Sequence, residues 1–216
     1  MSAGTGTGTP ASAPGISAVA LVTLAAARSY LGKAATDTAD DAIIETVIDA
    51  VSAKFDRYCG RALAKATDAS LYLDGSGEAV ILLPRYPVVS IASVVEDGTA
   101  LTVGDDEDDA ILYANEGMIK KVGAIWRPGS QNVLLTSFVA GYVVQGVTPG
   151  TGETALPADL KLAALTQVAA DFQAFKKRDW GEVSRTFPDG SVTRSETGAL
   201  LKEVQRVLDG YRDIRI

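Results

Sequence analysis

Residues 40–60 read DDAIIETVIDAVSAKFDRYCG, and residues 88–101 read VVSIASVVEDGTAL. In the first stretch Ile44, Val47, Ile48, Val51, Phe55 and Tyr58 recur every three or four residues, which lines one face of an α-helix. That helix is expected to begin near Asp37 or Thr38. Asp40 and Asp41 then fall in the first turn, where the helix dipole favours carboxylates, and Gly60 supplies a left-handed C-cap. The second stretch alternates instead. Asp97-Gly98, between Val94-Val95 and Leu101, is a hairpin signal, because a type I′ turn needs two residues that tolerate positive φ. The chain therefore changes period, from 3.6 to 2, between these stretches.

Working outward, a first short helix is expected from an N-cap at Thr23 through Leu24, Ala27 and Leu31 to a stop at Gly32. Short strands are expected at Leu71–Leu73, Val80–Leu83, Val88–Val95, Ala100–Val103, Ile111–Tyr113, Met118–Val122 and Val133–Tyr142. They are separated by turn chemistry such as Asp74-Gly75, Asn115-Glu116-Gly117 and Pro128-Gly129. A Gly- and Thr-rich loop over 143–156 leads to Pro157, suited to the first turn of a third helix with Leu160, Ala164, Val168, Phe172 and Phe175 on one face. A polar stretch with a turn at Pro188-Asp189-Gly190 precedes a last helix carrying Leu200, Leu201, Val204, Val207, Leu208 and Tyr211. The order is helices, strands, helices. The fold class that accommodates it is α+β: a helical bundle built from 20–69 and 143–216, with a small antiparallel β sandwich or barrel inserted as a lobe over 70–142. Residues 1–19, free of charge and rich in Gly, Thr, Ser, Ala and Pro, are expected to form a flexible arm; the alternative is an arm that orders on a neighbouring subunit.

Composition removes whole classes of chemistry. The chain has no histidine and one cysteine, Cys59, so Ser-His-Asp and Cys-His catalysis and an ordinary zinc site are ruled out, as is an internal disulfide. Cys59 ends an apolar stripe just before Gly60 and reads as a small buried hydrophobe. A net charge of −7 argues against binding phosphate backbones by bulk electrostatics. The apolar run Ile16–Ala27 is too short to span a bilayer and has no cationic segment before it, so neither a membrane nor export is expected.

The motifs that resemble sites fail on their details. Gly32-Lys33 lacks the rest of a P-loop, since position 27 is Ala and Ala34 replaces the magnesium-binding Ser or Thr. Asp105-Asp106-Glu107-Asp108-Asp109 lacks the alternating spacers and sixth-position Gly of a calcium loop, and reads as a solvated turn or, at most, a weak cation site. Trp126 is expected to anchor a strand end, and Trp180 either packs locally or faces a partner. No catalytic, cofactor or metal residues emerge, and the expectation is that the protein is not an enzyme and needs no cofactor.

Three stretches carry a family resemblance. One runs Leu21-Val22-Thr23-Leu24 with Ala27, Tyr30 and Leu31, then Asp40-Asp41, Ile44, Ile48, Ser52, Tyr58 and Gly60-Arg61. Another is Leu71-Tyr72-Leu73-Asp74-Gly75, followed by Ile81-Leu82-Leu83-Pro84-Arg85-Tyr86-Pro87-Val88. The third is Phe138-Val139-Ala140-Gly141-Tyr142, a loop, and Leu156-Pro157-Ala158-Asp159-Leu160-Lys161. In order and spacing these resemble the head-tail connector (adaptor) proteins of tailed bacteriophages related to the HK97 connector, over about residues 20–215. The shorter members of that family are nearly all helical, and the β region here is a departure from them.

The resemblance implies a structural adaptor in the virion neck, assembled in the host cytoplasm. It would form a homo-oligomeric ring, commonly of twelve copies, seated under the portal protein and presenting a platform to a tail or stopper protein. DNA would pass through the channel without specific binding; twelve copies at −7 each give about −84, a charge that repels phosphate. It also implies that the C-terminus engages the portal, which makes Tyr211, Ile214 and Ile216 the candidate portal-binding residues. Other readings of the same features are a stopper or tail-completion protein, or a β-rich module that binds a carbohydrate or peptide.

Overall fold

The structure is a computed structural model and describes residues 17, 19–104, 108–177, 185–186, 192–193 and 199–213. Most of the flexible-arm segment, Trp180, the Pro188-Asp189-Gly190 turn, residues 105–107 of the acidic run, and Ile214 and Ile216 lie outside the described residues.

Helix α1 (Leu24–Tyr30) begins where Thr23 Oγ1 accepts the Ala26 amide at 3.2 Å, and Gly32 follows it at φ 70°. Helix α2 (Asp41–Cys59) starts three or four residues later than its periodicity suggests. Asp40 takes the N-cap position without capping, because its carboxylate is held by Lys33 at 2.9 Å and Lys176 at 2.9 Å. Those ammoniums hold the Asp40 carboxyl below the usual carboxylate range. The stripe Ile44, Ile48, Val51, Phe55 and Cys59 is buried along α2, and Gly60 ends the helix at φ 70°. Ser52, on the same face, donates to the Ile48 carbonyl at 2.8 Å and accepts the Leu21 amide at 3.1 Å, which pins the segment ahead of α1 to the helix.

Helix α3 (Ala158–Lys177) buries Leu160, Ala163, Ala164, Val168 and Phe172 in the helical core, while Phe175, expected on the same face, is 38% exposed in the last turn. Helix α4 (Lys202–Asp209) returns across α2 and α3 and buries Val204 and Leu208. Its position is set by Gln167, 1% exposed on α3. The Gln167 amide nitrogen donates to Asp171 at 2.9 Å and to the Ala199 carbonyl at 3.2 Å, and its oxygen accepts the Leu201 amide at 3.0 Å. A buried amide satisfied in this way specifies where the returning chain docks.

Between α2 and α3 lie two sheets. The first runs β1 (Ala66–Gly75), β9 (Gly129–Ala140), β4 (Ser93–Glu96), β5 (Thr99–Leu101), with β3 (Val88–Ser90) also on β9. The second runs β2 (Val80–Leu82), β8 (Met118–Lys121), β7 (Ala110–Tyr113), β6 (Val103–Gly104). The Asp97-Gly98 hairpin forms as read, with Val94 opposite Leu101 and both turn residues at positive φ. The sheets are open and face each other across one core that includes Ile81, Val94, Ile119, Trp126, Leu135 and Phe138, so the lobe is a sandwich and not a barrel. It is not wholly antiparallel either: β6 pairs with β7 in parallel. The expected strand Val88–Val95 divides into β3 and β4, because β9 changes partner register between Val139 and Thr136. A further pair, β10 (Arg185–Thr186) with β11 (Val192–Thr193), lies between α3 and α4.

The helical core and the lobe core are separate clusters with no shared residue. They are joined by two adjacent passes of chain. Tyr142 donates its amide to the Leu63 carbonyl at 2.8 Å and accepts the Lys65 amide at 2.8 Å. Gly141 passes close by at φ 107°, where a Cβ would lie 2.5 Å from the Ala64 carbonyl oxygen; only glycine fits. Strand β1 starts at Ala66, so the lobe begins about four residues before the boundary at 70 that the pattern suggested.

Candidate functional site

A chain expected to work by docking carries its site on surfaces. The first of these is the C-terminal end of the helical unit. Tyr211, just beyond α4, donates its hydroxyl to both Asp159 oxygens, at 2.8 and 2.9 Å, and its ring meets Tyr142 edge-on at 6.3 Å. Burial, and then the bond to Asp159, push the Tyr211 phenol well above the usual tyrosine range. Two residues on, the Asp213 amide donates to the Cys59 carbonyl at 2.7 Å. Through Asp213 the chain beyond Gly210 is thus stitched to the end of α2 and the start of α3.

Arg61 organises this corner. It is 5% exposed and its guanidinium lies 3.5 Å over the Tyr86 ring centroid. Its Nε donates to the Tyr211 carbonyl at 3.1 Å and one terminal nitrogen to the Tyr86 carbonyl at 2.5 Å. One side chain thereby ties the end of α2, the lobe segment before the cis Tyr86–Pro87 bond, and the C-terminal segment. Nothing in the local sequence distinguishes Arg61 from an ordinary solvated cation after a helix cap. The signal that was present is the cluster of tyrosines, at 86, 142 and 211, that only the fold brings together.

The second surface is an open groove of about 360 Å³ between α3 and α4. Ala163 and Val204, 5% and 1% exposed, form its floor. Its walls are Val207, the exposed Leu162, and Tyr30 from the end of α1, whose hydroxyl is 3.0 Å from Thr166 Oγ1. Asp159 and Glu203 stand at its rim. These residues are scattered over more than 170 positions, so no sequence motif marks the groove.

The remaining candidates are structural. Cys59 is buried, with its thiol pushed up to about 11 by burial, far from reactivity. Lys33, after the Gly32 turn, pairs with Asp37 at 2.7 Å and with Asp40. Asp109 accepts from the Thr102 amide at 2.9 Å and hydroxyl at 3.0 Å, bonds that lower its carboxyl and tie the end of the acidic run to the residue between β5 and β6. Among the described residues no group of three or more His, Cys, Asp or Glu is placed to hold a metal ion, and no helix is long and apolar enough to cross a membrane. Trp126, three residues before β9, is fully buried in the lobe core, with Lys121 5.4 Å from its ring centroid.

Residues 20–214 match the model of a family described as head completion protein. Three solved chains share the fold. One from the neck of an empty gene transfer agent particle, solved with C6 symmetry, is 19% identical with a TM-score of 0.56, covering 94% of this chain and 96% of that one. One from the native particle's neck, solved with C12 symmetry, is 18% identical with a TM-score of 0.55 over the same shares. A third, from the native gene transfer agent virion, is 19% identical with a TM-score of 0.58, covering 94% of both chains. At these identities the likeness is one of fold, and it takes in the β lobe as well as the helices. No curated protein matches the chain.

Proposed function

Because this chain belongs to the head completion protein family, with the match running unbroken through helical unit and lobe alike, we propose that it is a structural adaptor of a phage-like virion neck that joins the head to the tail and catalyses no reaction. It works as a ring, of twelve copies, between the portal protein and a tail or stopper protein. The observation that carries this reading is the family match over 20–214, and the shared fold of neck chains solved with C12 and C6 symmetry supports it. The acidic surface, −7 per copy, suits a channel through which DNA must slide without being gripped.

The C-terminal end is the portal-facing element of this reading. Asp159 and Arg61 fix Tyr211, and Ile214 and Ile216, which lie outside the described residues, are the side chains this reading assigns to the portal contact. Truncation after Asp213 keeps every stabilising contact described above and removes only the docking residues. The test is to add the truncated and the full-length protein to portal-bearing, DNA-filled heads that lack this chain. Full-length protein is expected to be recruited and to restore tail attachment. The truncated protein is expected to melt like the full chain but to be recruited poorly. Tail attachment by heads that never received the chain contradicts the adaptor role, and normal recruitment of the truncated chain contradicts the portal assignment.

A further inference from the structure

The same chain carries a groove and a knob of matching chemistry. The β1–β9 ladder runs from Ala66 opposite Ala140, next to the helical unit, to Gly75 opposite Gly129 at the far end of the lobe, about 30 Å away at ~3.3 Å per residue. At that far end the chain turns through residues 122–128. The turn is held rigidly: the Gly77 amide donates to the Trp126 carbonyl at 3.1 Å, the Trp126 amide to the Glu78 carbonyl at 2.9 Å, and the Arg127 amide to Glu96 Oε1 at 2.8 Å. On this fixed base Ile125 is 56% exposed and the Arg127 side chain 73% exposed, with a loose 3.5 Å ion pair to Asp97. An isoleucine and an arginine thus project together from a rigid tip.

The α3–α4 groove is the complement: an apolar floor of Ala163 and Val204, a half-exposed Leu162 on one wall, and two carboxylates, Asp159 and Glu203, at the rim. In the single chain both surfaces face solvent. Resting on the ring reading above, we propose that the Ile125–Arg127 tip of one copy docks in the α3–α4 groove of a second copy, with Ile125 on the apolar floor and Arg127 against Glu203. Knob and groove are different surfaces of one chain, so the contact is head-to-tail. Repetition of such a contact gives a closed ring when the rotation per copy divides the circle. Opposite charge at the rim sets the orientation and speeds encounter, and the buried isoleucine supplies the anchor.

The test uses the full chain on portal-bearing heads that lack it, with neck occupancy read by cryo-electron microscopy. Arg127→Glu and Glu203→Arg are each expected to lower occupancy by roughly tenfold or more, equivalent to about 1.4 kcal/mol per contact. The double variant restores it. An independent arm places Ile125→Cys and Leu162→Cys in one chain and adds a bismaleimide; Cys59, buried with a raised thiol, stays silent. The double-cysteine chain is expected to give a ladder of oligomers, and a mixture of the two single-cysteine chains to stop at dimers. Normal occupancy of both single charge variants, or assembled rings that give no ladder, overturns the inference and leaves the adaptor role standing. Failure of the unaltered chain to be recruited to heads overturns the ring reading, and this inference with it.

Discussion

Glu96 at the end of β4 and Lys121 at the end of β8 form an ion pair that crosses between the two sheets of the lobe. Their side chains are 7% and 14% exposed, so the pair lies near the buried limit. Glu96 also accepts the Arg127 amide, and Lys121 lies beside the Trp126 ring. Lys121→Met keeps most of the apolar stem and removes the charge, leaving a desolvated carboxylate with one backbone donor. Breaking a buried pair from one side costs about 3–5 kcal/mol, against ~0–1 for an exposed pair. With one partner still 14% exposed we expect about 3 kcal/mol at pH 7. At roughly 2–4 °C per kcal/mol for a chain of this size, the melting midpoint falls by about 6–12 °C. The pH dependence identifies the cause. In the native lobe burial works to raise the Glu96 carboxyl, but Lys121 and the Arg127 amide overcome it and leave it below its usual range. A depressed carboxyl contributes stability above its unfolded pKa, and that contribution is lost as pH falls through the folded value. In Lys121→Met burial is opposed only by the amide and the charge of Arg127, so the carboxyl rises. The variant then recovers as Glu96 protonates, and the gap to the native protein narrows between pH 7 and pH 4. Glu96→Gln added to Lys121→Met keeps the acceptor for Arg127, removes the stranded charge, and should restore most of the loss. Urea melts at several pH values decide the matter. A Lys121→Met loss below about 1 kcal/mol, with a pH profile parallel to the native one, would falsify the assignment of this pair as buried.

Phe55, wholly buried on α2, should cost about 3–5 kcal/mol on replacement by alanine, read as a shift of the urea midpoint at unchanged slope; a loss under 1 kcal/mol would mean its face is not core. Gly141→Ala should destabilise by about 1–3 kcal/mol, because a Cβ there meets the Ala64 carbonyl at 2.5 Å and the residue sits at φ 107°; an unchanged melt would show that the joint relaxes freely. Replacing residues 66–140 by a short Gly-Ser linker should leave a chain with a helical far-UV spectrum, since the two cores share no residue. Loss of all helical signal would show that neither part folds alone.

What could be read in the sequence was local. The α2 stripe, the Thr23 cap, the Gly60 stop and the Asp97-Gly98 turn each depend on residues within one or two turns of each other, and all four appear in the structure. Features set by distant partners were hidden. Asp40 looks like a first-turn acid until Lys176 reaches it across 136 residues, and Trp126, flanked by Ile125 and Arg127, gives no sign that it fills the lobe core. The second sheet needs β2 to find β8 nearly forty residues on, and its parallel β6–β7 pair has no turn signature at all. Of the candidate portal-binding residues, Tyr211 was legible as the end of an apolar helix face, but its bond to Asp159 and its contact with Arg61 were not. The groove and the Ile125–Arg127 tip are products of packing between elements and of what the lobe leaves outside.

The most direct test of the central claim is a cryo-electron microscopy reconstruction of the neck of virions that carry this chain with a small peptide tag after residue 216. The expected density is a ring of copies of this chain, twelve in number, between portal and tail, with the tags on the portal side. A neck whose density holds no copy of the chain between portal and tail, or a chain found only elsewhere in the particle, would contradict it.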